Sequence, residues 1–128
     1  MSIPENLRYS EDHEWAEVEG DLIRVGITDY AQHQLGDVVY VELPAKGDSF
    51  GFMEPFGVIE SVKAASDLYC PIAGTVVDAN TELEDAPELV NEDPYGDGWM
   101  IVVQPDDPAE MENLLSAVDY AALLEAEE

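Results

Sequence analysis

The sequence predicts a mainly β domain, a small sandwich or barrel of short strands with a helical segment at its C-terminal end. Three observations carry this. Short apolar runs rich in β-branched residues recur along the chain, turn formers separate them at close intervals, and sustained helical spacing emerges only beyond residue 107. With 128 residues and 46% hydrophobic content the chain can bury one core, so residues 1–128 are expected to form a single domain.

The first hairpin is "EWAEVEGDLIRVGI". Trp15 and Val18 precede a turn at Glu19-Gly20-Asp21, and Leu22, Ile23, Val25 and Ile27 follow it. Thr28 can then cap a short helix, "DYAQHQL", which Gly36 would end. "DVVYVEL" is dense in β-branched residues and is closed by Pro44 and the "AKGDS" loop. "FGVIESV" and "DLYCPI" form a second pair of strands around "KAAS", and "GTVVDAN" a further strand after Gly74. Residues 82–98 are rich in turn formers, and "WMIVVQP" returns as a strand, giving six or seven in all.

The C-terminal segment, about 107–126, changes character. Asp107, Pro108 and Glu110 offer an N-cap, a proline at the first helical position and a capping-box partner. Met111, Leu114, Leu115 and Val118 recur at helical spacing, and Ser116 with Asp119 can cap a second helix. Trp15, Tyr40 and Trp99 are expected in the core, because aromatic residues of short alternating strands usually face inward.

A formal charge of −26, with four basic side chains against thirty acids, excludes a nucleic-acid surface and disfavours anionic membranes. The same imbalance makes the compact state repel itself unless salt screens it, which suggests a high-salt cytoplasm. No apolar run is long enough to span a bilayer, and "MSIPENLRYSEDHEW" lacks the basic start and apolar stretch of a targeting segment, so a cytoplasmic location is expected. The lone Cys70 reads as a small packed apolar residue, since no positive run nearby would stabilise a thiolate.

Most chemistry finds no pattern here. "DPYGDGWMIVVQ" imitates a calcium loop, but Tyr95 and Gln104 stand where oxygen ligands are required. His13 and His33 lie in no metal or nucleophile motif, and there is no nucleophile elbow or phosphate loop. With so many acids, paired carboxylates carry no hydrolase argument.

One basic residue stands apart. Lys63 falls between two apolar strands, at the tip of a hairpin where its amine would project towards a modifying enzyme. Gly47 and Gly74 flank it at offsets that suit tight turns closing the neighbouring strands, and Phe50, Ile59, Leu68 and Val76 supply apolar positions between them. Lys46 sits in a plain loop without such a frame. This frame resembles that of a lipoyl domain. A biotin carrier would usually place methionine on both sides of the lysine, where this chain has Val62 and Ala64.

"YSEDHEW", "VGITDYAQHQLGDVVYVELP", "FGVIESVKAASDLYCPIAGTVVDAN", "PELVNEDPYGDGWMI" and an acidic helical end follow one another as in the H proteins of the glycine cleavage system. The resemblance covers essentially the whole chain. It implies a lipoyl-type hybrid barrel-sandwich and lipoic acid attached covalently to Lys63. It further implies four partners: a pyridoxal-phosphate glycine decarboxylase, a tetrahydrofolate-dependent aminomethyltransferase, dihydrolipoyl dehydrogenase and a lipoylating enzyme. The chain would be a carrier of an aminomethyl group and not an enzyme.

In such carriers acids near the arm keep the cargo amine protonated, and Glu14 and Asp67 match those positions. Asp12 stands where a small hydroxyl residue is common. Ser61, Val62, Ala64 and Asp67, with the charge of Glu60, would form the shape read by the lipoylating enzyme, although an inward-packed Val62 is the competing reading. Two other functions share the fold: a lipoyl donor that passes lipoyl groups to other acceptors, and an unmodified binding module.

Overall fold

The computed structural model describes residues 2–127. Its strands form two antiparallel sheets. Six strands pair in the order Arg8–Tyr9, Glu14–Glu19, Leu22–Ile27, Ile101–Pro105, Gly74–Ala79, Ser49–Phe50, and three in the order Val38–Glu42, Pro55–Ser61, Ala65–Tyr69.

Strands β1 (Arg8–Tyr9), β2 (Glu14–Glu19) and β3 (Leu22–Ile27) start the larger sheet, and the β2–β3 register runs from Glu14 opposite Ile27 to Glu19 opposite Leu22. Gly20 turns this hairpin at φ 63°, a region that glycine enters without a Cβ penalty. Helix α1 (Asp29–Leu35) follows at once. Thr28 Oγ1 accepts the Ala31 N–H at 3.2 Å, and Gly36, at φ 78°, ends the helix by donating its N–H to the Gln32 carbonyl.

Strands β4 (Val38–Glu42), β5 (Ser49–Phe50), β6 (Pro55–Ser61), β7 (Ala65–Tyr69) and β8 (Gly74–Ala79) come next. Two single helical turns, α2 (Glu82–Asp85) and α3 (Leu89–Glu92), lead to β9 (Ile101–Pro105). A 3-10 helix (Pro108–Asn113) and α4 (Ala117–Glu127) end the chain.

The main core lies between the sheets, where Val25, Val41, Ile59, Leu68, Ile72 and Val103 are buried. A smaller core holds α4 against β1 and β2. There Trp15 is fully buried, its indole N–H donating to the Pro94 carbonyl at 2.9 Å, and the Tyr9 and Tyr120 rings stack at 4.6 Å. Cys70 is buried as expected; its thiol donates to the Ile72 carbonyl, and burial pushes its pKa up to about 11.

Several expectations are corrected. Among the described residues there are nine strands instead of six or seven, because β1 and β5 have two residues each and show no periodicity of their own. The turn-rich stretch 82–98 holds α2 and α3. Its buried Leu83 and Val90 pin those single turns to the core.

Asp107 does cap, accepting the Ala109 N–H, but Glu110 closes no box: its carboxylate accepts the Ala73 N–H instead. Helical spacing across 111–118 is broken at Leu115, which exchanges two backbone bonds with Tyr9, and Val118 is exposed. Ser116 caps α4 through the Asp119 N–H. Tyr40 is not in the core. A bulge between Val38 and Tyr40 breaks the alternation of β4, leaving it 46% exposed. Trp99 is only half-buried, with the Arg24 guanidinium 4.8 Å over its ring.

Candidate functional site

Lys63 is on the turn between β6 and β7, whose register is continuous from Val58 opposite Asp67 to Glu60 opposite Ala65. The turn is held mainly by one side chain. Ser61 Oγ accepts the N–H groups of Lys63 and Ala64, each at 3.2 Å, while the Ser61 N–H donates to the Ala64 carbonyl. A further bond, from the Val62 N–H to the Asp37 carbonyl at 3.0 Å, ties the tip to the start of β4. Val62 is 67% exposed, which removes the inward-packed reading.

The lysine stem lies over Gly36. A Cβ built there would come within 3.2 Å of Lys63 Cε and 3.7 Å of Nζ, so the helix-ending glycine also makes room for the amine. The other two glycines serve elsewhere. Gly47, at φ 95°, is a turn residue whose N–H donates to Val76. Gly74 is no turn: it opens β8, where a Cβ would stand 2.3 Å from the Gln104 carbonyl oxygen, so close strand packing requires it. Both shape the β5–β8 edge.

Helix α1 leads back from Gly36 to a cleft of about 340 Å³ lined by Tyr30, Ala31, Gln34 and Leu35 on one side and Ser66, Asp67 and Leu68 of β7 on the other. At a rise of 1.5 Å per residue, Tyr30 lies roughly 9 Å along the helix from Gly36. A lysine lengthened by an acyl chain can span that distance.

Asp12, His13 and Glu14 close the end of the cleft. Glu14 is only 2% exposed; its carboxylate accepts the Ser10 hydroxyl at 2.5 Å and the Tyr69 N–H at 3.4 Å. Burial pushes its pKa up from 4.5 to about 8, further than these two bonds and its own N–H pull it down. Asp67 stays exposed at the rim, and Asp12 is exposed beside it. Glu60 is exposed on β6, opposite Tyr40 and Ala65, and belongs to the outer surface of the hairpin rather than to the cleft.

The structure thus brings Glu14, Asp12 and Asp67 into one cleft and sets Lys63 beyond its α1 side. It also adds residues that sequence reasoning missed. His13, at φ 71°, holds the Tyr120 hydroxyl through Nδ1 at 2.8 Å and packs its ring on Tyr30 at 4.8 Å. That hydroxyl also meets Thr28 Oγ1 at 2.7 Å, so α4 braces the cap of the helix that forms one wall. The pairs Tyr30/Gln34 and Ala31/Leu35, each four residues apart on α1, were the readable sign of a shared face.

A family model described as the glycine cleavage H-protein matches residues 7–127. The chain belongs to the glycine cleavage H-protein family. A "Glycine cleavage system H protein" of Bacillus licheniformis is 57% identical over 124 residues, covering 97% of this chain and 98% of that protein. One of Anaeromyxobacter sp. strain K is 56% identical over 128 residues and covers both chains completely. The crystal structure of a glycine cleavage system H protein from Mycobacterium marinum superposes with a TM-score of 0.88 at 41% identity, covering 96% of this chain and 99% of that one. Membership makes this chain a lipoyl carrier of the glycine cleavage system, a substrate of its enzymes and not itself a catalyst. The two sheets with short helices and a terminal helix agree with the lipoyl-type hybrid fold. Among the described residues no helix is long and apolar enough to cross a membrane.

Proposed function

We propose that Lys63 carries lipoic acid as an amide and that residues 1–128 act as one cytoplasmic carrier domain. Its arm would visit in turn a pyridoxal-phosphate glycine decarboxylase, a tetrahydrofolate-dependent aminomethyltransferase and dihydrolipoyl dehydrogenase. One observation carries this reading: an exposed amine on a hydrogen-bonded hairpin tip, laid over Gly36, at the end of a helix that walls a cleft with a buried carboxyl. The lipoyl dithiolane, when attached, would offer a sulfur to bear the one-carbon cargo and an S–S bond to take up two electrons, a combination that no single protein side chain provides.

The chain's own residues do the rest. Ile27, Ala31, Leu35 and Leu68 give the cleft apolar walls that exclude water from a bound arm. With a pKa near 8, Glu14 is mostly a neutral acid at neutral pH. A cationic amine entering the cleft favours the carboxylate, so Glu14 gives up its proton and becomes the counter-charge. Asp67 at the rim adds a second negative charge, and Asp12 a third beside it. A protonated amine has no lone pair with which to expel the neighbouring sulfur, which is how these acids would lengthen the life of the cargo. A lipoyl donor would need Lys63 but has no use for a carboxyl buried in the cleft.

Peptide masses of protein from its native cell test the attachment. We expect a lipoyl adduct on Lys63 that gains two hydrogens on reduction, lost in Lys63→Arg and retained in Lys46→Arg. An adduct that persists in Lys63→Arg would refute the assignment. For the acids, Glu14→Gln and Asp67→Asn should each shorten the lifetime of the loaded arm, and unchanged lifetimes in both would refute their role.

A further inference from the structure

The bulge in β4 has put apolar side chains where an alternating strand would have put one at most. β6 pairs with Val38 and then with Tyr40, so Val39 is the extra residue, and Val39 and Tyr40 are 55% and 46% exposed in succession. Across the ladder Val38 faces Ser61 and Tyr40 faces Glu60, which sets both exposed residues within a few strand positions of Lys63. Val62, 67% exposed, continues the apolar surface onto the hairpin tip, and its N–H is bonded to the residue that precedes β4. Single exposed apolar residues are ordinary, but three grouped beside a modification site are not. Exposed acids adjoin them along β4 and across the ladder: Asp37, Glu42 and Glu60.

We propose that the face formed by Val39, Tyr40 and Val62 is the seat of the enzyme that joins lipoic acid to Lys63. This rests on the reading of Lys63 as the lipoylated residue. The reach of the arm selects this occupant among the carrier's partners. An enzyme that acylates Nζ must bring its reacting carbonyl to a bare lysine stem lying over Gly36, and so must cover the surface next to the tip. Enzymes that act at the far end of a completed arm can stand well away from it. Charge excludes the other candidate, a second copy of this chain, because an acidic rim would meet an identical acidic rim on a protein of formal charge −26. The acylating enzyme is therefore expected to offer an apolar hollow with a basic border.

The test is steady-state acylation of the full unmodified chain by a lipoate ligase with ATP and lipoic acid, read as mass at Lys63. Val39→Ser and Tyr40→Ser, alone and combined, are compared with Val77→Ser and Val118→Ser, which alter exposed apolar residues elsewhere. Because these side chains are exposed, unchanged thermal melts are expected. The combined variant should lose about tenfold or more in kcat/KM, chiefly through KM, while the two control variants react like the parent chain. Equal rates throughout would overturn the proposed face and leave the carrier reading intact. A parent chain that takes no lipoyl at Lys63 would overturn both. So that a general docking role is separated from acylation, arms loaded beforehand are also reduced with dihydrolipoyl dehydrogenase. An equal loss there would overturn the assignment to the acylating enzyme, as would a parent dimer that the substitutions disperse.

Discussion

Replacing Glu14 by glutamine should remove a pH dependence from the stability of the fold. Glu14 lies 2% exposed at the end of the cleft, and burial raises its pKa from 4.5 to about 8. Below the lower value both folded and unfolded chains hold the proton, and the group contributes no slope. As pH rises past it the unfolded chain releases the proton while the folded chain retains it, so stability is lost by about 1.4 kcal/mol per pH unit. The loss levels off above the folded value. Over the whole window the penalty is on the order of 5 kcal/mol, an appreciable fraction of the stability of a small domain.

Glutamine has the same shape and keeps an oxygen for the Ser10 hydroxyl, but it cannot ionise. Urea unfolding of the parent and of Glu14→Gln, at fixed high salt in steps from about pH 5 to pH 8, isolates the term, because contributions from the other acids are common to both chains. The two stability curves should diverge steadily with pH, the variant becoming the more stable. Parallel curves would show that Glu14 is ionised in the folded cleft at neutral pH, and the proposal that an entering cation draws off its proton would fall with it.

Three further outcomes are expected. Gly74→Ala should destabilise the fold by about 3 kcal/mol or prevent folding, since its Cβ would meet the Gln104 carbonyl oxygen at 2.3 Å, whereas Gly47→Ala, with open space around it, should cost only about 1 kcal/mol for its positive φ; urea midpoints distinguish them. Tyr120→Phe removes the hydroxyl shared by His13 and Thr28 and should cost about 1–2 kcal/mol, with faster amide exchange at the start of α1. Raising KCl from about 0.1 M to 1 M, which shortens the screening length from about 10 Å to 3 Å, should raise Tm if the acid excess suits a salty cytoplasm; an unchanged Tm would refute that reading.

Much of the site was legible because it depends on local chemistry. Thr28 before "DYAQHQL" and Gly36 after it fix α1 through capping bonds between near neighbours. Alternation and a tight turn fix the hairpin that lifts Lys63, and Ser61 rigidifies that turn from two residues away. Tyr40 was misread because its exposure is not local: period-2 alternation assumes an unbroken ladder, and a bulge is a property of the partner strand's register. The capping box at Glu110 failed in the same way, because Ala73, distant in sequence, offered its N–H to that carboxylate.

By itself, then, the sequence determined the strand and helix periods, the turn that carries Lys63 and the sign of the surface charge, all of which act between residues a few positions apart or add up regardless of position. Only the tertiary structure decided the state of Glu14, which the resemblance marks but whose burial no local pattern shows. Glu14 is one carboxyl among many in the chain, and it becomes a neutral acid at neutral pH because β2, β7 and α1 close over it and withdraw the water that would otherwise keep it charged.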